Sequence, residues 1–195
     1  MISLEDVRED ALRLLADTPE GAPLSTECAA LIDLAVTASV TSLDMAAIGT
    51  ALDRALDAGA SADQIQEILA LVSGLGVHTL MMTAADLAQR LRIRGELDVA
   101  RPFDAPRQAL WDRHVGADPY WVGFEVHVPG FLRALLWLSP PLFEGFFAYC
   151  ALPWTMGRKV RALTKELAAL ACDATPTHRF QPGFRLHLLN ALKLG

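Results

Sequence analysis

A shift of 136 positions lays part of this chain over another part of itself, and this relation constrains the fold more than any other feature. Leu31, Leu34, Ala35, Ala38, Thr41, Leu52, Ala55, Leu56 and Gly59 fall on Leu167, Leu170, Ala171, Ala174, Thr177, Leu188, Ala191, Leu192 and Gly195. No gap is needed across the stretch, and both copies read helix, loop, helix, then Ala-Leu-x-x-Gly. Duplication is the simplest account, and it predicts two similar helical pieces that bury their apolar faces together. Apolar residues recur at helical spacing along the chain and strand alternation is nearly absent, so the expected class is all-α, a helical bundle with a partial internal repeat.

Local signals place the helices. Ser3 with Asp6 caps a first helix to about Asp17, and Thr18 to Pro23 reads as a loop. Ser25 opens the next helix. Another covers roughly Leu43 to Ala58 and stops at Gly59. Ser61 with Gln64 forms a capping box for Asp63 to Ser73, and Gly74 and Gly76 permit a bend before a helix from about His78 to Arg92. The second copy predicts helices from about Lys159 to Asp173 and from Gly183 to Leu194.

Residues 93–106 are polar and divide the chain by composition, giving residues 1–100 as a first, scaffold-like repeat and residues 101–195 as an aromatic-rich segment plus a truncated second repeat. No Phe, Trp or Tyr occurs before Phe103, and the aromatics crowd between Tyr120 and Trp154. Such a cluster builds a bulky core or an oligomer interface; the alternative is the wall of an apolar ligand pocket. Phe131 to Trp154 is apolar enough to raise the question of a membrane, but Pro140-Pro141 interrupts it and Arg133 and Glu144 lie within it, so two core helices joined at Ser139-Pro140-Pro141 are expected instead.

Hydrophobic residues make up 52% of the chain, which suffices for a substantial core, and the net charge of −6 argues against a nucleic-acid surface. Cys28, Cys150 and Cys172 are odd in number and far apart, with no Cys-x-x-Cys. That spacing points away from a disulfide framework and a zinc site and toward free thiols in a reducing cytoplasm. The acidic N-terminus lacks the apolar stretch of a secretory signal. His-x-His, His-x-x-x-His and His-Glu-x-x-His spacings are missing, as are a nucleophile elbow and a glycine-rich phosphate loop, so neither metal nor cofactor is expected.

Polar groups distinguish the two copies. Glu166 is matched by Ala30, His187 by Ala51 and His178 by Ser42. Leu163, Glu166, Leu167 and Leu170 share one helical face, as do Phe184, His187, Leu188 and Ala191, so a carboxylate and an imidazole both point along apolar faces. Such groups either pair or shift in pKa, which suits general acid–base catalysis; a satisfied structural pair bracing two helices is the alternative. His178 in the connecting loop is a third candidate. His78 and His127 are weaker ones.

Leu31 to Gly59, continued through Ala60-Ser61-Ala62-Asp63-Gln64-Ile65-Gln66-Glu67-Ile68-Leu69, resembles the carboxymuconolactone decarboxylase and alkyl hydroperoxidase D-like superfamily. Lys165 to Ala171, His187, and Ala191 to Gly195 look like a second such repeat, and the resemblance covers about 25–90 and 155–195. In the family's peroxidase branch a Glu precedes Cys-x-x-Cys, with a His four residues after the second Cys. Glu166 and His187 match the acidic and histidine positions, but the cysteines fall near Phe180 and on Gly183, with two extra residues in the loop. The resemblance therefore implies no dithiol peroxide reduction. It allows the cofactor-free decarboxylase class: proton chemistry of lyase or isomerase type on a small organic acid or lactone, with Glu166 and His187 as the pair and His178 assisting. A catalytically silent member binding a small apolar ligand or a protein partner is the alternative. The resemblance also implies a homo-oligomer.

Overall fold

A computed structural model describes residues 3–40, 43–155 and 159–195. All regular structure among them is helical. The residues fall into two compact units, one formed by residues 1–75 with 153–195 and the other by 76–152. The division differs from the sequence-based boundary near residue 100, because the second repeat packs into the core of the first and the aromatic segment folds on itself.

The first unit holds α1 (Leu4–Leu15), α2 (Thr26–Thr37), α3 (Met45–Asp57), α4 (Ala62–Ser73), the short α10 (Leu152–Thr155, which begins at the boundary), α11 (Ala162–Asp173) and α12 (Gln181–Leu194). The expected capping boxes form at Ser3–Asp6 and Ser61–Gln64, and the side chains of Ser25 and Asp44 cap α2 and α3. Shifted by 136, the start and end of α2 fall on those of α11, and the start of α3 falls on that of α12. Cys28 and Thr164, 136 positions apart, touch, Sγ to Oγ1 3.5 Å. Gly59 and Gly195, also counterparts, both have left-handed φ, +94° and +88°, which glycine adopts without a Cβ clash. Thr41 and Ser42, the counterparts of Thr177 and His178, lie outside the described residues.

One core gathers Leu31, Leu34, Ala35, Ala51, Ala55, Ile65, Ile68 and Val72 from the first repeat with Ala168 and Cys172 from α11. Truncating one of the fully buried leucines to Ala would cost about 2–5 kcal/mol. The run Ala62–Ile93 is apolar enough by length and mean hydropathy (1.7) to cross a membrane, yet α4 buries Ile65, Ile68, Leu71 and Val72 in this unit. Helix α11 starts at Ala162 rather than Lys159, because the Glu67 carboxylate accepts the N–H groups of Lys159 (2.8 Å) and Val160 (3.1 Å) and holds that strand of chain extended along α4. Helix α12 starts earlier than Gly183, since Pro182 suits a first turn where its missing N–H has no intrahelical partner.

Helix α1 is tied to α12 through Asp10, 7% exposed. Its carboxylate accepts from the Arg185 guanidinium, from Gln181 Nε2 (2.9 Å) and from Arg13 Nη2 (2.7 Å). The Arg185 hydrogen bonds hold its pKa far below the usual carboxylate range, against the opposing effect of burial. A depressed folded-state pKa stabilises the fold above the unfolded value and loses that contribution as pH falls below about 4. Asp10→Asn should therefore lower the melting temperature at pH 7 and flatten its fall between pH 4 and 2, measured by circular dichroism.

The second unit holds α5 (His78–Ile93), α6 (Ala105–His114), α7 (Pro119–His127), α8 (Phe131–Leu138) and α9 (Pro140–Gly145), the last followed by a π-helical turn, Phe146–Cys150. The break expected at Ser139-Pro140-Pro141 lies between α8 and α9, with the Ser139 hydroxyl capping the latter. The aromatic cluster makes this unit's interior: Phe131 and Phe143 are fully buried, Trp121 meets Phe147 edge to face at 5.0 Å, and His114 stacks on Phe147 at 4.7 Å. Arg101 and Arg107 lie over the Trp137 ring.

Candidate functional site

Helix α11 carries Glu166 one turn inside its N-terminus, and α12 carries His187 at its middle. The two helices pack face to face, and the side chains meet where periodicity on each apolar face directs them. His187 Nδ1 lies 2.6 Å from Glu166 Oε2, with the carboxylate the natural acceptor, and both residues are buried. Asn190 Nδ2 donates to Glu166 Oε1 at 3.3 Å. The indole of Trp154 stacks on the imidazole, with centroids 5.2 Å apart and planes within 6°. In the first repeat Ala51, the counterpart of His187, is fully buried, and Ala30, the counterpart of Glu166, packs partly buried against the core.

A second carboxylate escaped the sequence reading. Asp173, the last residue of α11, is fully buried, with Oδ2 3.9 Å from His187 Nε2 and Oδ1 3.7 Å from His178 Nε2. Burial raises its pKa well above the usual carboxylate range. The available signal was its spacing of two helical turns from Glu166, which puts both on one face. His178 is thus brought to Asp173, and its own pKa is lowered by burial. His78 and His127 lie in the second unit, at the start of α5 and the end of α7.

The first unit also contains an apolar cavity of about 1040 Å³, bounded by Leu31, Leu163, Leu167, Leu188, Ala191 and Leu192, with Glu27, Gln64 and Thr164 as polar neighbours. Glu166 and His187 do not line it.

The thiols are not arranged for exchange. Cys172 is buried and its thiol is pushed up to about 12, by burial and then by the charge of Asp173; burial also raises Cys150. A thiol held protonated is a poor nucleophile. Changing Cys28, Cys150 and Cys172 together to Ala or Ser should leave turnover largely intact, at about 1–3 kcal/mol of stability for each buried thiol. Loss of turnover in a folded triple variant would contradict this.

A buried imidazole held through Nδ1 by a carboxylate has a fixed tautomer and a basic Nε2, the arrangement that lets histidine accept and return a proton. Comparison with known proteins bears on the family. No family model matches the chain, and no curated protein matches it. One solved structure does: a protein of Burkholderia xenovorans LB400, provisionally assigned as a gamma-carboxymuconolactone decarboxylase subunit. The match has a TM-score of 0.72 at 27% identity and covers 100% of this chain and 85% of that one. Beside the all-helical fold and the Glu–His pair, this likeness over the whole chain supports the carboxymuconolactone decarboxylase and alkyl hydroperoxidase D-like superfamily, for a chain without a Cys-x-x-Cys.

Proposed function

We propose that the chain is a cofactor-free enzyme of lyase or isomerase type that moves protons on a small organic acid or lactone. The buried Glu166–His187 hydrogen bond of 2.6 Å carries this reading. Glu166 fixes the imidazole and offsets positive charge on it; His187 acts as the base and then as the acid; His178 assists through Asp173. The description of the Burkholderia protein supports the substrate class. A library of small lactones and unsaturated dicarboxylic acids, screened by thermal shift and then followed for carbon dioxide release or isomerisation, tests it. A stabilising compound turned over by the wild type supports the reading. Compounds that bind and persist unchanged would overturn it.

One observation favours a second reading, a catalytically silent member that binds a small apolar ligand: the 1040 Å³ cavity is built without the Glu–His pair. Ligand-induced stabilisation that is lost in Leu167→Trp but kept in His187→Ala would select it.

The chain should self-associate. Val122, Val126 and Tyr149 in the aromatic segment are 65%, 76% and 54% exposed, a surplus of apolar surface for a monomer. Light scattering at micromolar concentration should give a dimer or larger, and Val122→Glu with Val126→Glu should shift it toward monomer. The free thiols suit a cytoplasmic setting.

A further inference from the structure

We propose that Asp173 is a positioning residue for His187, facing Nε2 while Glu166 holds Nδ1, and that Gly183 is the residue that admits it. The proposal builds on the reading of Glu166 and His187 as the site. Its geometry comes from three elements. Helix α11 places Glu166 and Asp173 two turns apart on one face, and helix α12 sets the imidazole between them. Oδ2 of Asp173 lies 3.9 Å from Nε2, and Glu166 Oε2 lies 2.6 Å from Nδ1. The plane of the ring is set by Trp154.

Gly183, in the first turn of α12, explains how a fully buried carboxylate reaches this place. A Cβ at this position would overlap Asp173 Oδ2 and would stand 2.6 and 2.8 Å from the Phe180 ring. Any side chain at 183 would therefore displace Asp173 or the ring. The counterpart in the first repeat is Ala47, and Asp173 has Thr37 as its counterpart, so the exchange of glycine and carboxylate occurs together in the copy that carries the histidine.

The contact at 3.9 Å is longer than a hydrogen bond, so Asp173 acts on the imidazole by its field and its bulk. Burial raises the pKa of this carboxyl, whereas Glu166 is the carboxylate within hydrogen-bond distance of Nδ1 and so fixes the tautomer. Through Oδ1 the same carboxyl faces His178, whose side chain is 16% exposed, so the site has a route of polar groups outward from His187.

The test needs no substrate. Nitrogen-15 spectra of the His187 ring would be recorded for the wild type, Asp173→Asn, Gly183→Ala, Asp173→Ala and the Asp173→Ala/Gly183→Ala pair. In Asp173→Asn the Nε2 resonance should move by several parts per million while Nδ1, still held by Glu166, changes little. Gly183→Ala should perturb Nε2 in the presence of Asp173 and much less in its absence, a coupling that a double-mutant cycle isolates. An unmoved Nε2 in Asp173→Asn, or an equal effect of Gly183→Ala with and without Asp173, would overturn the proposal. Because these readouts are independent of turnover, an inactive protein with the predicted spectra would count against the acid–base reading alone.

Discussion

Glu67→Ala is expected to lower the melting temperature by about 10 °C or more. Glu67 and Lys165 form an ion pair between α4 and α11 with side chains only 9% and 5% exposed. Lys165 Nζ also donates to the Pro153 carbonyl at 2.6 Å, and the Glu67 carboxylate accepts the N–H groups of Lys159 and Val160. Removing the carboxylate leaves a buried ammonium with one neutral acceptor and two backbone donors without their acceptor. Breaking a buried pair from one side costs about 3–5 kcal/mol, and in a chain of this size each kcal/mol corresponds to about 2–4 °C. Lys165→Met should cost less, because Glu67 keeps its two backbone N–H groups. Combining Lys165→Met with Glu67→Gln should recover part of the loss, since no uncompensated charge then remains. Thermal melts of the four proteins decide the matter, and a Glu67→Ala protein melting within about 2 °C of the wild type would show the pair to be dispensable.

The Glu67–Lys165 pair was invisible in the sequence, where Lys165 reads as an ordinary solvated residue. Its partner sits on a helix of the other repeat, and no local spacing connects them. Glu166 and His187 were legible for the opposite reason: each interrupts an apolar face whose period is set by its own helix, so direction follows from the sequence alone. Asp173 was missed because a polar residue at the end of a helix usually meets water, and only the Gly183 turn of α12 folds back over it. His178 was found, but its neighbour could not be, since that neighbour is Asp173. Trp154 read as one more aromatic of a bulky cluster. The structure separates it from the others and lays it on the imidazole.

The helices themselves followed from caps and periodicity, and several of their bounds from Ser3, Gly59 and Ser61. The grouping of helices did not. A polar linker at residues 93–106 marks a change in composition, whereas compact units are decided by which apolar faces meet. The faces of α2 and α11 meet each other, as Cys28 and Thr164 show. The same contact explains why one copy can serve as scaffold. The first repeat fills its equivalent positions with Ala30 and Ala51 and supplies the rigid surface against which α11 is held.

His187→Ala should reduce turnover roughly 100-fold or more, the usual contribution of a positioned acid or base. The same change removes a hydrogen bond to a buried carboxylate, so stability falls as well, and the two effects must be separated. Glu166→Gln helps, since it preserves shape and can still hold the ring, though an amide no longer offsets charge on the imidazolium. It should lower kcat more than it lowers the melting temperature, with KM changing little if Glu166 acts only on the imidazole. The most direct measurement is therefore kcat per folded molecule for the wild type, Glu166→Gln and His187→Ala on the compound identified by screening, with the folded fraction taken from circular dichroism at the assay temperature. A fall of about 100-fold in His187→Ala at an undiminished folded fraction is the result expected of an acid–base pair. A lowered melting temperature with unchanged kcat per folded molecule would show that Glu166 and His187 only brace α11 against α12.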